Sequence, residues 1–253
     1  MGENNLPDYR KPPVIEVVSG IAFEKLDKFK GPHIGLFWQR LRDEFPYCEH
    51  AVPLDLTDFR ELPLPRMWFL NKEKNGLIQL QNNRFVYNWR KIRDDENYPR
   101  YREVIRAFKQ NLDIFRVFLN EEGFEPLKLT NCELSYINHI PKGTGWDSFS
   151  KIHNTLPDLC WRSDLKRFLP DPNGLGWNLQ FPLPNNNGNL NVDLKHAYRK
   201  KDSLPMLIFE ISAQGLNSNK SLDAIWDWFE IAHEWIVRGF ADLTSLDVQK
   251  EFW

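Results

Sequence analysis

The chain has 253 residues, with 33 basic side chains against 35 acidic ones and a formal net charge of -2. It therefore exerts no global attraction on a phosphate backbone, and any nucleic-acid contact would need a local basic patch. Three cysteines without a CxxC pair argue against a disulfide framework or a zinc knuckle and fit a reducing cytoplasm. Residues 1–13 are proline-rich and charged, an N-terminal extension without the apolar core of a signal peptide, and no later apolar run is long enough for a bilayer.

Val14 to Glu24 places Ile15, Val17, Ile21 and Phe23 against Glu16, Gly20 and Glu24, which predicts a strand after the Pro12-Pro13 breaker. Gly31-Pro32 opens a helix with the stripe Ile34, Phe37, Trp38, Leu41 and Phe45, stopped by Pro46. After a proline-rich loop, three hairpin-linked strands are expected at Arg66 to Leu70, Gly76 to Gln81 and Arg84 to Arg90. Asn75-Gly76 and Asn82-Asn83 supply the turns, since Asn and Gly tolerate positive φ. A long amphipathic helix runs from Tyr101 to Leu119, with Gly123 beyond its end as a cap.

A second, similar order follows. Leu129 to Ile140 is a strand. Two short helices are expected at Trp146 to Leu156 and at Ser163 to Leu169. The alternations Leu175, Trp177, Leu179, Phe181, Leu183 and Leu190, Val192, Leu194, His196, Tyr198 flank the Asn185-Asn186-Asn187-Gly188 turn. Leu207, Phe209 and Ile211 mark another strand, Ser221 to Phe240 a helix, and a final amphipathic segment capped at Thr244 or Ser245 ends in Phe252 and Trp253.

These elements predict an α+β protein whose antiparallel sheet is covered on one face by helices. Two strand-helix-strands-helix units are expected at 14–123 and 124–240, packed together, with 241–253 as a C-terminal amphipathic tail. The element order resembles the duplicated saddle of TATA-binding-protein-like folds and the helix-grip folds, a likeness that carries no function.

A family resemblance rests on several segments taken together. They are Pro12-Pro13-Val14-Ile15-Glu16, the run Gln79 to Arg90, Tyr98-Pro99-Arg100-Tyr101, Leu134-Ser135-Tyr136-Ile137-Asn138, and His233-Glu234 with Phe240, Thr244 and Trp253. As a set they resemble a sporadically distributed family of bacterial proteins of unassigned function. What that resemblance implies is a small accessory protein that binds partners, in a mobile-element, defence or toxin-antitoxin setting.

The richest candidate surface is Arg84 to Arg106. With Phe85, Tyr87 and Trp89 on one side of a strand, Arg84, Asn88 and Arg90 emerge together on the other, and Arg100 and Tyr101 extend the patch toward the long helix. Bidentate arginines suit a carboxylate or phosphate of an acidic partner. A solvated, salt-bridged surface is the plainer explanation of the same charges. A second polar cluster is expected from Asn138, His139, His233 and Glu234. His33, His50, His139, His153, His196 and His233 show no ligand spacing, and neither a metal nor a cofactor is expected. Phosphate-loop, nucleophile-elbow and acylation motifs are lacking.

Three readings follow. The first is a cytoplasmic, non-enzymatic binding or regulatory module that engages a protein partner or a second copy of itself, with Trp68, Trp146, Trp161, Trp235 and Phe252-Trp253 as anchors. The second is a small-ligand binder with a pocket between sheet and helices. The third is a nucleic-acid binder that uses Arg84, Arg90, Lys195 and Arg199 across the sheet.

Overall fold

The computed structural model describes residues 6–52, 64–162, 166–219, 221 and 223–253. The strands are β1 (Val14–Phe23), β2 (Tyr47–Ala51), β3 (Arg66–Leu70), β4 (Gly76–Gln81), β5 (Arg84–Arg90), β6 (Leu129–Pro141), β7 (Gly176–Pro182), β8 (Asn189–Tyr198) and β9 (Pro205–Gly215). They form one nine-stranded sheet in the order β2-β3-β4-β5-β1-β6-β9-β8-β7. The helices are α1 (Gly31–Leu41), α2 (Tyr101–Glu121), α3 (Ile225–Leu243) and α4 (Leu246–Phe252). The chain is α+β with antiparallel ladders, as its alternating and helical spacings predict. No helix of the described residues is long and apolar enough to cross a membrane.

By internal contact the chain divides into two compact units that do not follow its linear order. One comprises Glu16–Leu134 and Gly215–Phe229, the other Met1–Ile15, Ser135–Gln214 and Glu230–Trp253.

In the first unit the odd residues of β1 and β5 face the helices. Register pairs Ile21 with Phe85, Ser19 with Tyr87 and Val17 with Trp89. Phe37 of α1 lies within 5.1 to 6.3 Å of the rings of Phe69, Phe85, Phe115 and Phe118, mostly edge to face. Such a fully buried ring contributes about 3–5 kcal/mol relative to alanine, which is why the periodic phenylalanines of α1 and α2 fix both helices on that face. The end of α2 is a paired cap. Gly123 takes φ 75, its N–H donates to Asn120 and that of Phe124 to Leu119, satisfying two terminal carbonyls. The β3–β4 turn depends on Gly76, where an added Cβ would lie 2.9 Å from the Asn71 amide that accepts the Gly76 N–H.

In the second unit β7, β8 and β9 place Trp177, Leu179, Phe181, Leu190, Val192, Leu194, Phe209 and Ile211 on one face by register. The Phe240 ring of α3 lies 5.9 Å from Phe209. The C-terminal tail packs on its own chain: Trp253 is buried, its ring lies tilted 5.0 Å from that of Phe240, and its carbonyl accepts the Lys11 N–H. Gln249 joins the tail to α3 by donating to the carbonyls of Ala241 and Thr244, and it accepts from the Tyr9 hydroxyl. Ser245 caps α4 by accepting from the Val248 N–H.

Several sequence expectations are adjusted. β2 falls where the sequence predicts only loop; all of its residues but Ala51 are exposed, so it lacks the apolar alternation by which strands are recognised. The helix expected at 146–156 is a single 3-10 segment, Phe149–Asn154. The helix expected at 163–169 begins outside the described residues, and 166–169 adopt no regular structure. α3 starts at Ile225 because Ser221 closes a local turn, accepting the Ala224 N–H at 3.2 Å, before the helix begins.

Candidate functional site

The face of β1, β3, β4 and β5 turned away from α1 and α2 carries an ordered set of polar side chains. Strand alternation puts Glu16 on β1, Arg66 and Trp68 on β3, Gln79 on β4, and Arg84, Asn88 and Arg90 on β5 on this side. Register places Glu16 opposite Arg90 and Trp68 opposite Gln79. Arg84, Asn88 and Arg90 are thus grouped as the sequence predicts.

A directional hydrogen-bond chain crosses these four strands. Arg66 and the Trp68 indole N–H donate to Gln79 Oε1 at 3.0 and 3.2 Å, Gln79 Nε2 donates to Asn88 Oδ1 at 2.7 Å, and Asn88 Nδ2 donates to Glu16 Oε1 at 2.6 Å. Neither amide orientation is arbitrary. Arginine and indole are donors only, so Gln79 must show them its oxygen, and its nitrogen must then meet the oxygen of Asn88. The last acceptor is the Glu16 carboxylate. Asn88 is only 3 % exposed, so the chain runs in a setting where each missing link leaves a desolvated group.

Charge is crowded here. The guanidinium groups of Arg66 and Arg90 lie 5.4 and 5.7 Å from the centre of the Trp68 ring, within cation–π range. Arg84 pairs with Glu133 at 3.1 Å. Gly20 makes room for that pair, since an added Cβ would lie 2.8 Å from Val86 Cγ2 and 3.0 Å from Glu133 Oε1. Burial, and next the charge of Arg84, lowers the pKa of Arg66. Burial raises that of Glu16, partly offset by the Asn88 hydrogen bond and by Arg90. The Nε atoms of Arg66 and Arg90 are buried and without a hydrogen-bond partner among the described residues. The site therefore has donors to spare and positive charge in excess of what Glu16 balances.

One residue predicted for this patch stands elsewhere. Tyr101 is 5 % exposed and belongs to the core face of α2 with Val104 and Phe108. Helical periodicity turns the first residue of that stripe inward, which corrects the expectation that it is a surface contact. Arg100 is exposed and precedes α2 with φ 78 and ψ 156, a backbone region that only glycine adopts freely. Glu16, Arg66, Gln79 and Glu133 were not among the predicted contacts. Their strand parity was readable, but only the strand order and register reveal that β1, β3, β4 and β6 bring them to the same face as β5.

The polar residues predicted in the second unit are directed to different partners. Asn138 donates to the Phe209 carbonyl at 3.0 Å, the main-chain N–H of His139 bonds Pro13, and Glu234 pairs with Arg238 at 2.8 Å along α3. His233 lies 6.1 Å from the Tyr136 ring, and burial depresses its pKa to about 4. His139 is also shifted down, by burial and then by Arg199. Burial thus favours the neutral form of both imidazoles. His196 sits in an aromatic group with Phe149 and Tyr198 at 5.1 and 5.0 Å. Cys48 and His50 alternate with Glu49 on β2, so neighbours in sequence point to opposite faces. Among the described residues, no group of three or more His, Cys, Asp or Glu could hold a metal ion.

Compared with known proteins, the chain matches no family model and no curated sequence.

Proposed function

We propose that this chain is a non-enzymatic binding or regulatory protein that holds an acidic group of a protein partner on the Arg66, Trp68, Asn88 and Arg90 face. The observation that carries this reading is the pair of guanidinium groups over one tryptophan, each with a buried Nε that has no hydrogen-bond partner among the described residues. A carboxylate or phosphate would supply the missing acceptors in the bidentate geometry arginine favours. The bacterial family resemblance and a mobile-element or defence setting belong to the same proposal.

A nucleic-acid role is less well supported by these side chains. Of the four basic residues it would use, Arg84 pairs with Glu133, Lys195 with Asp193 and Arg199 with Asp202. Each must break an internal ion pair before it can neutralise a phosphate.

The test is calorimetric titration with hexaglutamate and, as a control, hexalysine. Hexaglutamate should bind, and Arg66→Ala with Arg90→Ala should weaken it at least about tenfold, the loss expected for charged hydrogen bonds. Equal binding by the double variant, or preference for hexalysine, would refute the reading.

The finer architecture is also a proposal: the chain is a duplicated unit of the TATA-binding-protein-like kind. What supports it is the strand order, in which β1 and β6 are neighbours and each leads outward through a returning meander, β5-β4-β3-β2 on one side and β9-β8-β7 on the other.

A further inference from the structure

The second compact unit contains a cleft of about 630 Å³ between β7 and α3, a volume within the usual span of small-ligand sites. Its walls are aromatic. Register sets Trp177 opposite Leu194 and Phe181 opposite Leu190, so both rings lie on the strand face toward α3. α3 contributes Trp235, Arg238, Gly239 and Asp242, spaced as one helical stripe. At Gly239 an added Cβ would come within 3.3 Å of Leu190 Cδ2, so the glycine keeps the floor low. Phe181 is 37 % exposed despite facing inward; edge strand β7 thus leaves an apolar wall uncovered.

The rim is unbalanced in charge. Asp158, Arg238 and Asp242 border the cleft, but Arg238 is already engaged by Glu234 at 2.8 Å. Asp158 and Asp242 make no ion pair among the described residues. Burial first, and then the charge of Asp242, raises the pKa of the Tyr9 hydroxyl to about 12. Electron-rich ring faces and uncompensated carboxylates favour the same ligand charge.

We propose that this cleft binds a small amphipathic organic cation, with its apolar part against Trp177, Phe181 and Trp235 and its ammonium group at Asp158 and Asp242. The proposal does not rest on the arginine face, and the two fail or stand separately.

Two probes of equal size and opposite charge test it, 4-phenylbutylammonium and 4-phenylbutanoate, followed by calorimetry and ligand-observed NMR on the full chain. The amine should bind at least tenfold more tightly than the carboxylate. Asp158→Asn with Asp242→Asn, both exposed, should erase that preference while circular dichroism stays unchanged. Phe181→Ser should weaken the amine about tenfold, with Arg66→Ala and Arg90→Ala as controls that leave it intact. Equal affinity for both probes, or no amine binding at millimolar concentration, overturns the proposal. So does a dimer in sedimentation that Phe181→Ser dissociates, which would make the cleft an interface between copies.

Discussion

Two polar strand faces, one in each compact unit, show how similar side chains acquire different weight. On β1, β3, β4 and β5 the amides of Gln79 and Asn88 are linked in one direction from Arg66 to Glu16. On β7, β8 and β9 the corresponding surface is a shallow depression of about 500 Å³ lined by Asn178, Gln180, Asn191, Asp193, Glu210, Ser212 and Gln214. There Gln180 donates to Asn191 at 2.8 Å in an exposed setting, and Asp193 faces Glu210 across the strands while pairing with Lys195. Water can replace any of those partners, whereas it cannot easily reach Asn88. Burial, more than residue type, decides which network holds the fold.

The sharpest way to break this comparison is Asn88→Ala, which strands both Gln79 and Glu16. A loss of about 3 kcal/mol is expected in urea unfolding; a loss comparable to that of an exposed amide would show that the chain of hydrogen bonds is ornamental. Acidification should then separate the units. Burial depresses the pKa of His233 to about 4 from 6.5, so the unfolded state takes up a proton first, and stability present above pH 6.5 is lost as pH falls toward 4. The loss should approach roughly 2 kcal/mol, tempered by partial exposure of the ring, and His233→Gln should flatten the slope. Burial raises the pKa of Glu16, so its contribution has the opposite sign: stability is full below the ordinary glutamate value and declines as pH rises through the raised one. Hydrogen exchange at pH 7 and pH 5 should accordingly show α3 losing protection relative to β5. A smaller gain, about 1 kcal/mol, is expected from Arg100→Gly, which relieves the positive-φ backbone before α2, measured as a rise in Tm. Last, Asn191→Ala should change stability by less than about 0.5 kcal/mol.

Legibility in the sequence followed the same division. β3, β4 and β5 were readable to the residue because Asn-Gly and Asn-Asn turns punctuate short apolar runs, and α2 because Val104, Phe108, Leu112 and Phe115 recur at helical spacing. β2 was not, since Tyr47 to His50 are exposed throughout and no periodic apolar signal survives. At the candidate site the β5 trio was visible from parity alone. Its partners on β1, β3 and β4 were hidden, because register across strands is a tertiary property that no single-strand pattern encodes. Tyr101 misled for the opposite reason: a polar hydroxyl beside basic residues suggested surface, while its ring opens the buried stripe of α2.

The fixed polarity of the Gln79 and Asn88 amides has an evolutionary corollary. Glutamate at 79 would still accept from Arg66 and Trp68 but would force Asn88 to turn over. The Asn88 oxygen would then confront the Glu16 carboxylate, which could persist only by holding a proton or by giving way to glutamine. Positions 16, 79 and 88 should therefore drift as a correlated triplet among related sequences, each substitution being tolerated only in the company of the others.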